Sequence, residues 1–327
     1  MAEIVLGIGT SHSPILSMEP VAWVVRAQTD GSVRKLIDNA GRMVSYDELL
    51  AAADPKLEGE IAEDKLQARH AANQRGIAAI REALYAAKPD VLIMFGDDHM
   101  EVYHHDNMPS LGIYTGETIK YTPNRVTKWP YAPELRTNLW YPTEDSDYPV
   151  AAPLARRLAE DLCEKGFDMA YSQKYQAGVG MSHSFAYVYH RLLTKGPIPT
   201  IPIHLNTYFP PNQVTPRRCY ELGRAIRASV ESWDPKLRVA ILASGGLSHF
   251  VIDEALDRQL LDALGARDPR RYEALPRHRL NSGNSELRMW IAAAGAVDHM
   301  RFNFIDYIPC YRSPAGTGCG IAFVTWH

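Results

Sequence analysis

A chain of 327 residues with 46% hydrophobic and 22% charged side chains is long enough to bury a large core and ordinary in composition for a globular protein. Its formal net charge of −3, with no basic block, gives no electrostatic case for nucleic acid or an anionic membrane as a partner. Cys163, Cys219, Cys310 and Cys319 form no CxxC pair, so the expectation is a reduced, cytoplasmic protein without a disulfide framework. The N-terminal apolar run is short and carries Glu3, unlike a signal peptide, and no apolar stretch reaches the roughly 20 residues that span a bilayer.

In chain order, Ile4 to Ile8 reads as a short buried strand that runs into Gly9-Thr10-Ser11-His12-Ser13-Pro14. Residues 15 to about 60 read as irregular, except for a short helix begun by the capping box Ser45-x-x-Glu48. A long helix is predicted from Glu63 to Ala87, with Leu66, Ile77, Ile80 and Leu84 on one stripe and Pro89 as its stop. Val91 to Phe95 is a continuous apolar run, as expected of a strand buried on both faces, and it ends in Gly96-Asp97-Asp98-His99. A strand is expected at Leu111 to Tyr114, and a long loop over one end of the sheet at 116–148. Further helices are expected near 150–165, after His183, and at 216–233, 253–265, 269–274 and 285–295. Further strands are expected at 168–171, 200–205 and 239–243, with a last one after a loop at 310–318. Pro202 inside the 200–205 strand argues for an edge or a bulge, because proline cannot donate to a ladder.

Strands alternating with helices imply an α/β fold, here a single catalytic domain over 1–327 with a central mixed β-sheet flanked by helices. The stretches 15–60 and 116–148 read as lid-like insertions. Ligands in such sheets bind outside the carboxyl ends of the strands. There the sequence repeats one arrangement: a strand, a polar turn, then a histidine, at His12, His99 and His249. Two strand-end histidines and one carboxylate suit a redox-active iron with open positions for substrate and O2. His12 and His99 are the candidate nitrogens, and Glu286, near a helix start amid apolar neighbours, is the candidate carboxylate. A carboxylate aimed into an apolar layer needs a cation. Taken singly, each of these residues also has an ordinary reading. Asp97 and Asp98 suit turn caps, Glu286 suits the first turn of a helix, and His104 and His105 are polar loop residues within reach of the site.

Several dispersed motifs together resemble the class III extradiol ring-cleaving dioxygenases of the protocatechuate 4,5-dioxygenase β-subunit type. They are Gly9 to Pro14, Asp98-His99 with Pro109 ten residues on, Ser182-His183, Ser244-Gly245-Gly246-Leu247-Ser248-His249, Arg218 to Gly223 with Ile226-Arg227-Ala228, and Glu286-Leu287-Arg288-Met289-Trp290. The resemblance implies that His12, His99 and Glu286 hold Fe(II), that His249 is the active-site acid/base, and that His183 is a second, non-ligand histidine near substrate and oxygen. The longer N-terminal region leaves His104 and His105 as alternatives for the second ligand. The single chain resembles the gallate and 3-O-methylgallate dioxygenases. That likeness implies O2-dependent meta cleavage of a catecholic, lignin-derived aromatic acid (3-O-methylgallate, gallate, protocatechuate or a dihydroxylated biaryl acid), and family habit implies a homodimer. Arg312 is the candidate partner for the substrate carboxylate, with Tyr208, Ser313, Tyr103 and the aromatics of 121–141 as candidate pocket walls. Two other classes remain open on these residues: a non-redox metal-binding or interaction protein on the same fold, and a zinc hydrolase using the same ligands.

Overall fold

The computed structural model describes residues 1–32, 36–123, 142–234 and 236–327. The strands in chain order are β1 (Glu3–Thr10), β2 (Leu36–Ile37), β3 (Met43–Val44), β4 (Val91–Gly96), β5 (Leu111–Tyr114), β6 (Thr118–Tyr121), β7 (Ser146–Pro149), β8 (Ala170–Ser172), β9 (Thr200–Leu205), β10 (Arg238–Ser244), β11 (His249–Val251), β12 (Phe302–Tyr311) and β13 (Thr317–Trp326). The helices are α1 (Pro20–Ala27), α2 (Tyr46–Ala52), α3 (Glu63–Ala87), α4 (Ala152–Glu164), α5 (His183–Tyr187), α6 (Pro216–Glu231), α7 (Glu254–Ala266), α8 (Pro269–Glu273) and α9 (Leu287–Val297).

Among the described residues, one nine-stranded mixed sheet forms the centre, in the order β11-β13-β1-β10-β4-β9-β5-β8 with β12 on the outer side of β13. β1, β10, β4 and β9 run parallel, β13 is antiparallel to its neighbours, and β5 is antiparallel to β9 but parallel to β8. Alternation along the central strands feeds two cores. Ile93 and Ile241 join Leu158, Leu222 and Trp290 on the α4, α6 and α9 face, whereas Leu92, Met94 and Leu242 join Trp23, Ile77 and Ile80 on the α1 and α3 face. Covering both faces explains why these strands read as unbroken apolar runs. Leu66, Ile77, Ile80 and Leu84 of α3 are all buried, as their spacing predicts.

Three expectations need correction. The stretch 15–60 is not irregular, because it holds α1, a short apolar helix with Pro20 in its first turn, as well as α2 with the expected Ser45–Glu48 capping box. The tail is a long antiparallel hairpin, β12–β13, and β12 is absent from the sequence reading. Pro202 lies inside the sheet rather than at an edge. β5 pairs only with Ile203 to Leu205, so the N–H that proline lacks falls where β9 has no β5 partner. Of the expected lid at 116–148, the ends form the small sheet β6–β7, and 124–141 lie outside the described residues, as do most of the aromatics of 121–141. Among the described residues, no helix is long and apolar enough to cross a membrane.

Candidate metal centre

The adjacent parallel strands β1, β10 and β4 end together, and each turn delivers a site residue. His12 comes two residues after β1, Asp97 and His99 follow β4, and Ser244 ends β10 just before the Gly245-to-His249 turn. The fourth contributor comes from the helical turn before α9, where Glu286 is fully buried. Close backbone approach makes this convergence possible. A Cβ on Gly246 would stand 2.6 Å from the His249 ring, and the Gly246 N–H donates to Glu286 Oε2 at 2.5 Å. On the β4 side, a Cβ on Gly96 would stand 2.5 Å from Ser184 Oγ, so only glycine lets the start of α5 sit on the strand end.

The donors gather around one point. His12 Nε2 lies 3.4 Å from Glu286 Oε2, and His99 Nε2 lies 3.6 Å from Glu286 Oε1. Asp97 joins them, with Oδ2 3.0 Å from His99 Nε2 and Oδ1 4.0 Å from His12 Nε2. Donors bound to one ion at about 2.0–2.2 Å necessarily stand about 3–4.4 Å apart, so the spacing suits a shared ion. Two sets of atoms meet a metal-ligand spacing: Asp97, His99 and Glu286, and His12, Asp97 and His183. Both oxygens of Asp97 and the Nε2 of His99 are buried without a hydrogen-bond partner. Orphaned buried charge of this kind is costly and calls for a cation, so the residues fit a divalent metal.

Hydrogen-bond accounting fixes the tautomer of His12. Ser244 Oγ spends its single proton on the Ser184 carbonyl at 2.7 Å, so it must accept from His12 Nδ1–H at 3.2 Å. The Nε2 lone pair of His12 then faces the cluster, which is the arrangement a ligand histidine needs. Burial pulls the His12 pKa down to about 4, against the pull of Glu286, so the ring is neutral near pH 7.

The two other histidines differ in what backs them. His183 gives Nδ1–H to Glu101 Oε2 at 2.7 Å, and its backbone N–H donates to the same oxygen at 3.0 Å. His249 gives Nδ1–H to the Leu247 carbonyl at 2.8 Å, and its Nε2 faces Glu286 Oε1 at 2.9 Å. Burial disfavours the charged form of both rings, yet Glu101 raises His183 and Glu286 raises His249, the latter well above the ordinary imidazole value. Burial opposes ionisation of Glu101, but His183 holds it down to about 2. Burial likewise opposes ionisation of Glu286, and His249 and His12 hold it well below the usual carboxylate range.

The structure therefore brings His12, His99, His183, His249 and Glu286 to one cleft, which encloses about 500 Å³ with its solvent-facing mouth included. Tyr208 packs on the His99 ring, tilted by 54° with centroids 4.6 Å apart, and bonds Ser282 through its hydroxyl. Arg312 reaches the cleft wall, but its Nε and Nη2 are forked onto Asp30 at 2.9 and 2.7 Å, and Asp30 also accepts from Thr317 Oγ1. Ser313 does not reach the cleft. It bonds Thr317 Oγ1 at 2.6 Å and lines a separate surface hollow beside α1. Tyr103 bonds Ser172 and packs on His204, away from the cleft. His104 and His105 are exposed, with His105 edge-on to Phe209 at 5.9 Å, so neither enters the cluster. Sequence reasoning placed neither Glu101 nor Asp30 at the site, and it weighed Asp97 only as a cap. The capping role belongs to Asp98, whose oxygens accept from Val102 and Tyr103 N–H at 3.0 Å each. The sequence signal for Asp97 was its place one residue beyond a fully buried strand.

Residues 60–320 match the family described as the catalytic LigB subunit of aromatic ring-opening dioxygenase, and the chain belongs to that family, the class III extradiol dioxygenases. Among its relatives, a 2,3-dihydroxyphenylpropionate/2,3-dihydroxicinnamic acid 1,2-dioxygenase of Comamonas testosteroni is 24% identical over 242 residues, 74% of this chain and 55% of that protein. A gallate dioxygenase of Pseudomonas putida is 34% identical over 130 residues, 37% of this chain and 36% of that protein. A namesake of the Comamonas enzyme in Rhodococcus globerulus is 28% identical over 181 residues, 53% of this chain and 50% of that protein. The chain thus spans about half the length, or less, of these relatives.

Proposed function

We propose that this chain is an Fe(II)-dependent extradiol dioxygenase that opens the ring of a catecholic aromatic acid and incorporates both atoms of O2. The observation that carries this reading is the convergence of His12, His99 and Glu286 on one buried point beside orphaned polar atoms. Ferrous iron bound there supplies redox coupling between catechol and O2. The protein residues supply the rest. His12 presents its Nε2 lone pair because Ser244 holds its Nδ1 proton, and that nitrogen also stands 3.2 Å from His183 Nε2. His183 and His249 face the same cleft, and each has its Nδ1–H tied to a fixed acceptor, so Nε2 is the atom on each ring left to exchange a proton with a substrate hydroxyl. Tyr208 packs on His99 from outside the cleft lining and supports that ring.

The relatives' names point to dihydroxyphenylpropionate and gallate, both polyhydroxylated aromatic acids. An acid substituent here would meet the wall formed by Arg26 and Arg312, with Arg312 Nη1 outside its fork on Asp30. The test is an oxygen-electrode screen after anaerobic Fe(II) loading, with protocatechuate, gallate, 3-O-methylgallate, 2,3-dihydroxyphenylpropionate and a dihydroxylated biaryl acid. The expected result is stoichiometric O2 uptake with at least one of them and a ring-opened product absorbing in the near ultraviolet or visible. No uptake across the panel with freshly reduced iron overturns the reading.

A further inference from the structure

We infer that Asp257, on α7, is a positioning residue for His249 and acts on it through the Leu247–Ser248 peptide group, an inference that rests on the reading of His249 above as a proton-exchanging residue.

Asp257 lies on the same stripe of α7 as Leu260, Leu261 and Leu264, all of them buried, and is itself 0% exposed. An acid on that apolar face is costly unless donors meet it. The chain makes room for it to reach them. A Cβ on Gly320 would collide with Asp257 Oδ2, so β13 is open where the carboxylate passes. Beyond Gly320 lies the turn that precedes His249. Ser248 N–H donates to Asp257 Oδ1 at 2.7 Å, and Ser248 Oγ donates to Oδ2 at 2.7 Å. The Tyr307 hydroxyl also donates to Oδ2, at 2.8 Å.

Ser248 N–H and the Leu247 carbonyl belong to one peptide group, and in a trans peptide they point in opposite directions. Asp257 holds the N–H end. The carbonyl end accepts from His249 Nδ1–H at 2.8 Å. A continuous chain therefore runs from carboxylate through peptide to imidazole. The groups on either side are pinned separately. Leu247 N–H donates to the Gly320 carbonyl at 3.1 Å, and Gly320 N–H donates to the Ser248 carbonyl at 2.8 Å. Asp253 N–H donates to Ser248 Oγ at 2.7 Å, and His249 N–H donates to Asn284 Oδ1 at 2.9 Å. What these bonds leave open is the tilt of the Leu247–Ser248 peptide plane, and that is what Asp257 fixes. Without it the buried Ser248 N–H loses its acceptor, and the peptide turns to find another, carrying the carbonyl away from Nδ1. The anchored Nδ1–H in turn aims Nε2 at the cleft, because the bond made by one ring nitrogen decides the role of the other. Oδ1 accepts whether Asp257 is ionised or carries a proton on Oδ2, so the positioning holds in both states. His183 receives the same service directly from the Glu101 side chain, whereas His249 receives it through a peptide.

The test uses the full chain as wild type, Asp257→Leu, Asp257→Asn and His249→Gln. Metal-free protein labelled with nitrogen-15 at histidine gives the His249 Nδ1–H resonance by NMR, assigned by its loss in His249→Gln. That proton should be protected from solvent exchange in wild type and in Asp257→Asn, which keeps an acceptor oxygen, and should exchange at least about tenfold faster in Asp257→Leu. In the Fe(II)-loaded enzyme, Asp257→Leu should lower kcat by about 10- to 100-fold with KM nearly unchanged, short of the roughly 100- to 10,000-fold of an acid–base group itself. Asp257→Asn should restore kcat to within about threefold of wild type, and in a His249→Gln background Asp257→Leu should cost nothing further. Should Asp257→Leu fail to fold, Asp257→Ala takes its place, and the wild-type resonance is decisive without any variant. An unprotected Nδ1–H in wild type, an unchanged exchange rate or kcat in Asp257→Leu, or an equal kcat loss with and without His249 each overturns the inference. So does a loss in Asp257→Asn as deep as in Asp257→Leu, since charge rather than a fixed peptide would then matter. The exchange rates need no substrate. A wild type that consumes no O2 with any catechol overturns the dioxygenase reading, while the NMR comparison still decides the role of Asp257.

Discussion

Two buried charged clusters face the same cleft and are built in opposite ways. At one end, Arg312 forks onto Asp30, Asp30 also takes the Thr317 hydroxyl, and the side chains are 4% and 1% exposed, so the charges answer one another. At the other end, Glu286, Asp97, His12 and His99 crowd together, and both Asp97 oxygens and His99 Nε2 lack a hydrogen-bond partner and answer only one another, Asp97 Oδ2 at 3.0 Å from His99 Nε2. The compensated cluster needs no ligand to be stable. The uncompensated one stores desolvation cost that a bound cation relieves. Unanswered buried charge therefore separates a binding centre from a structural pair more sharply than the residue types do, since both clusters hold buried acids beside basic side chains.

The largest effect should come from attacking the uncompensated end. Glu286→Gln removes the carboxylate that faces His12, His99 and His249 together. It should abolish O2 uptake and weaken metal binding by at least about 100-fold, as read by metal content after dialysis and by the oxygen electrode. A variant that retains both would break the comparison, because the acid would then be structural like Asp30.

Next in size is the compensated end. Arg312→Ala leaves Asp30 buried without its fork, and breaking a buried pair from one side costs about 3–5 kcal/mol. Urea unfolding of the metal-free protein should show this loss, with Fe(II) affinity nearly unchanged. Replacing both partners with apolar residues should recover much of it, a non-additivity expected of contacting residues. Should Arg312→Ala instead leave stability untouched and raise KM for acidic catechols alone, Arg312 would serve the substrate and the contrast between the ends would fall.

A third effect concerns the backing of His183. Glu101→Gln replaces a carboxylate that receives both the ring and backbone N–H of His183. kcat should fall by about 10- to 100-fold, less than the roughly 100- to 10,000-fold of a general acid–base itself because Glu101 acts through His183, with KM little changed. In a His183→Ala background the same change should cost nothing further. An additive loss would mean that Glu101 acts elsewhere.

How much of this was legible in the sequence follows from distance along the chain. His12, His99 and His249 announce themselves because each directly follows an apolar run that can only be a buried strand, and such patterns are local. Glu101 and His183 are 82 residues apart, and Asp30 and Arg312 are 282 apart, so their pairings are products of the fold. Asp97 and Asp98 are chemically identical neighbours, and only the direction of each side chain makes one a turn cap and the other an orphan. β12 escaped the sequence reading because only three of its ten residues are buried and its apolar alternation is weak. α1 escaped because eight residues are too few to establish a period.

The smallest effect refines the comparison with a buried carboxylate of an intermediate kind. Asp257 on α7 accepts from Ser248 N–H and Oγ at 2.7 Å each and from the Tyr307 hydroxyl at 2.8 Å, but among the described residues no ion pair with a cation is formed. Burial outweighs those three donors and pushes its pKa up to about 7. In the unfolded chain an aspartate titrates near 3.9. Between these values the folded protein holds a proton that the unfolded chain has lost, so stability falls as pH rises from about 4 to about 7 and levels off above. Asp257→Asn removes this contribution, so the melting temperature of the metal-free variant should depend less on pH across that window than that of the wild type. An identical pH slope in both proteins would mean that the three donors keep Asp257 ionised. Donors without charge would then compensate a buried carboxylate as well as a cation does, and the missing donors of Asp97, rather than its missing cation, would be what sets the metal end apart.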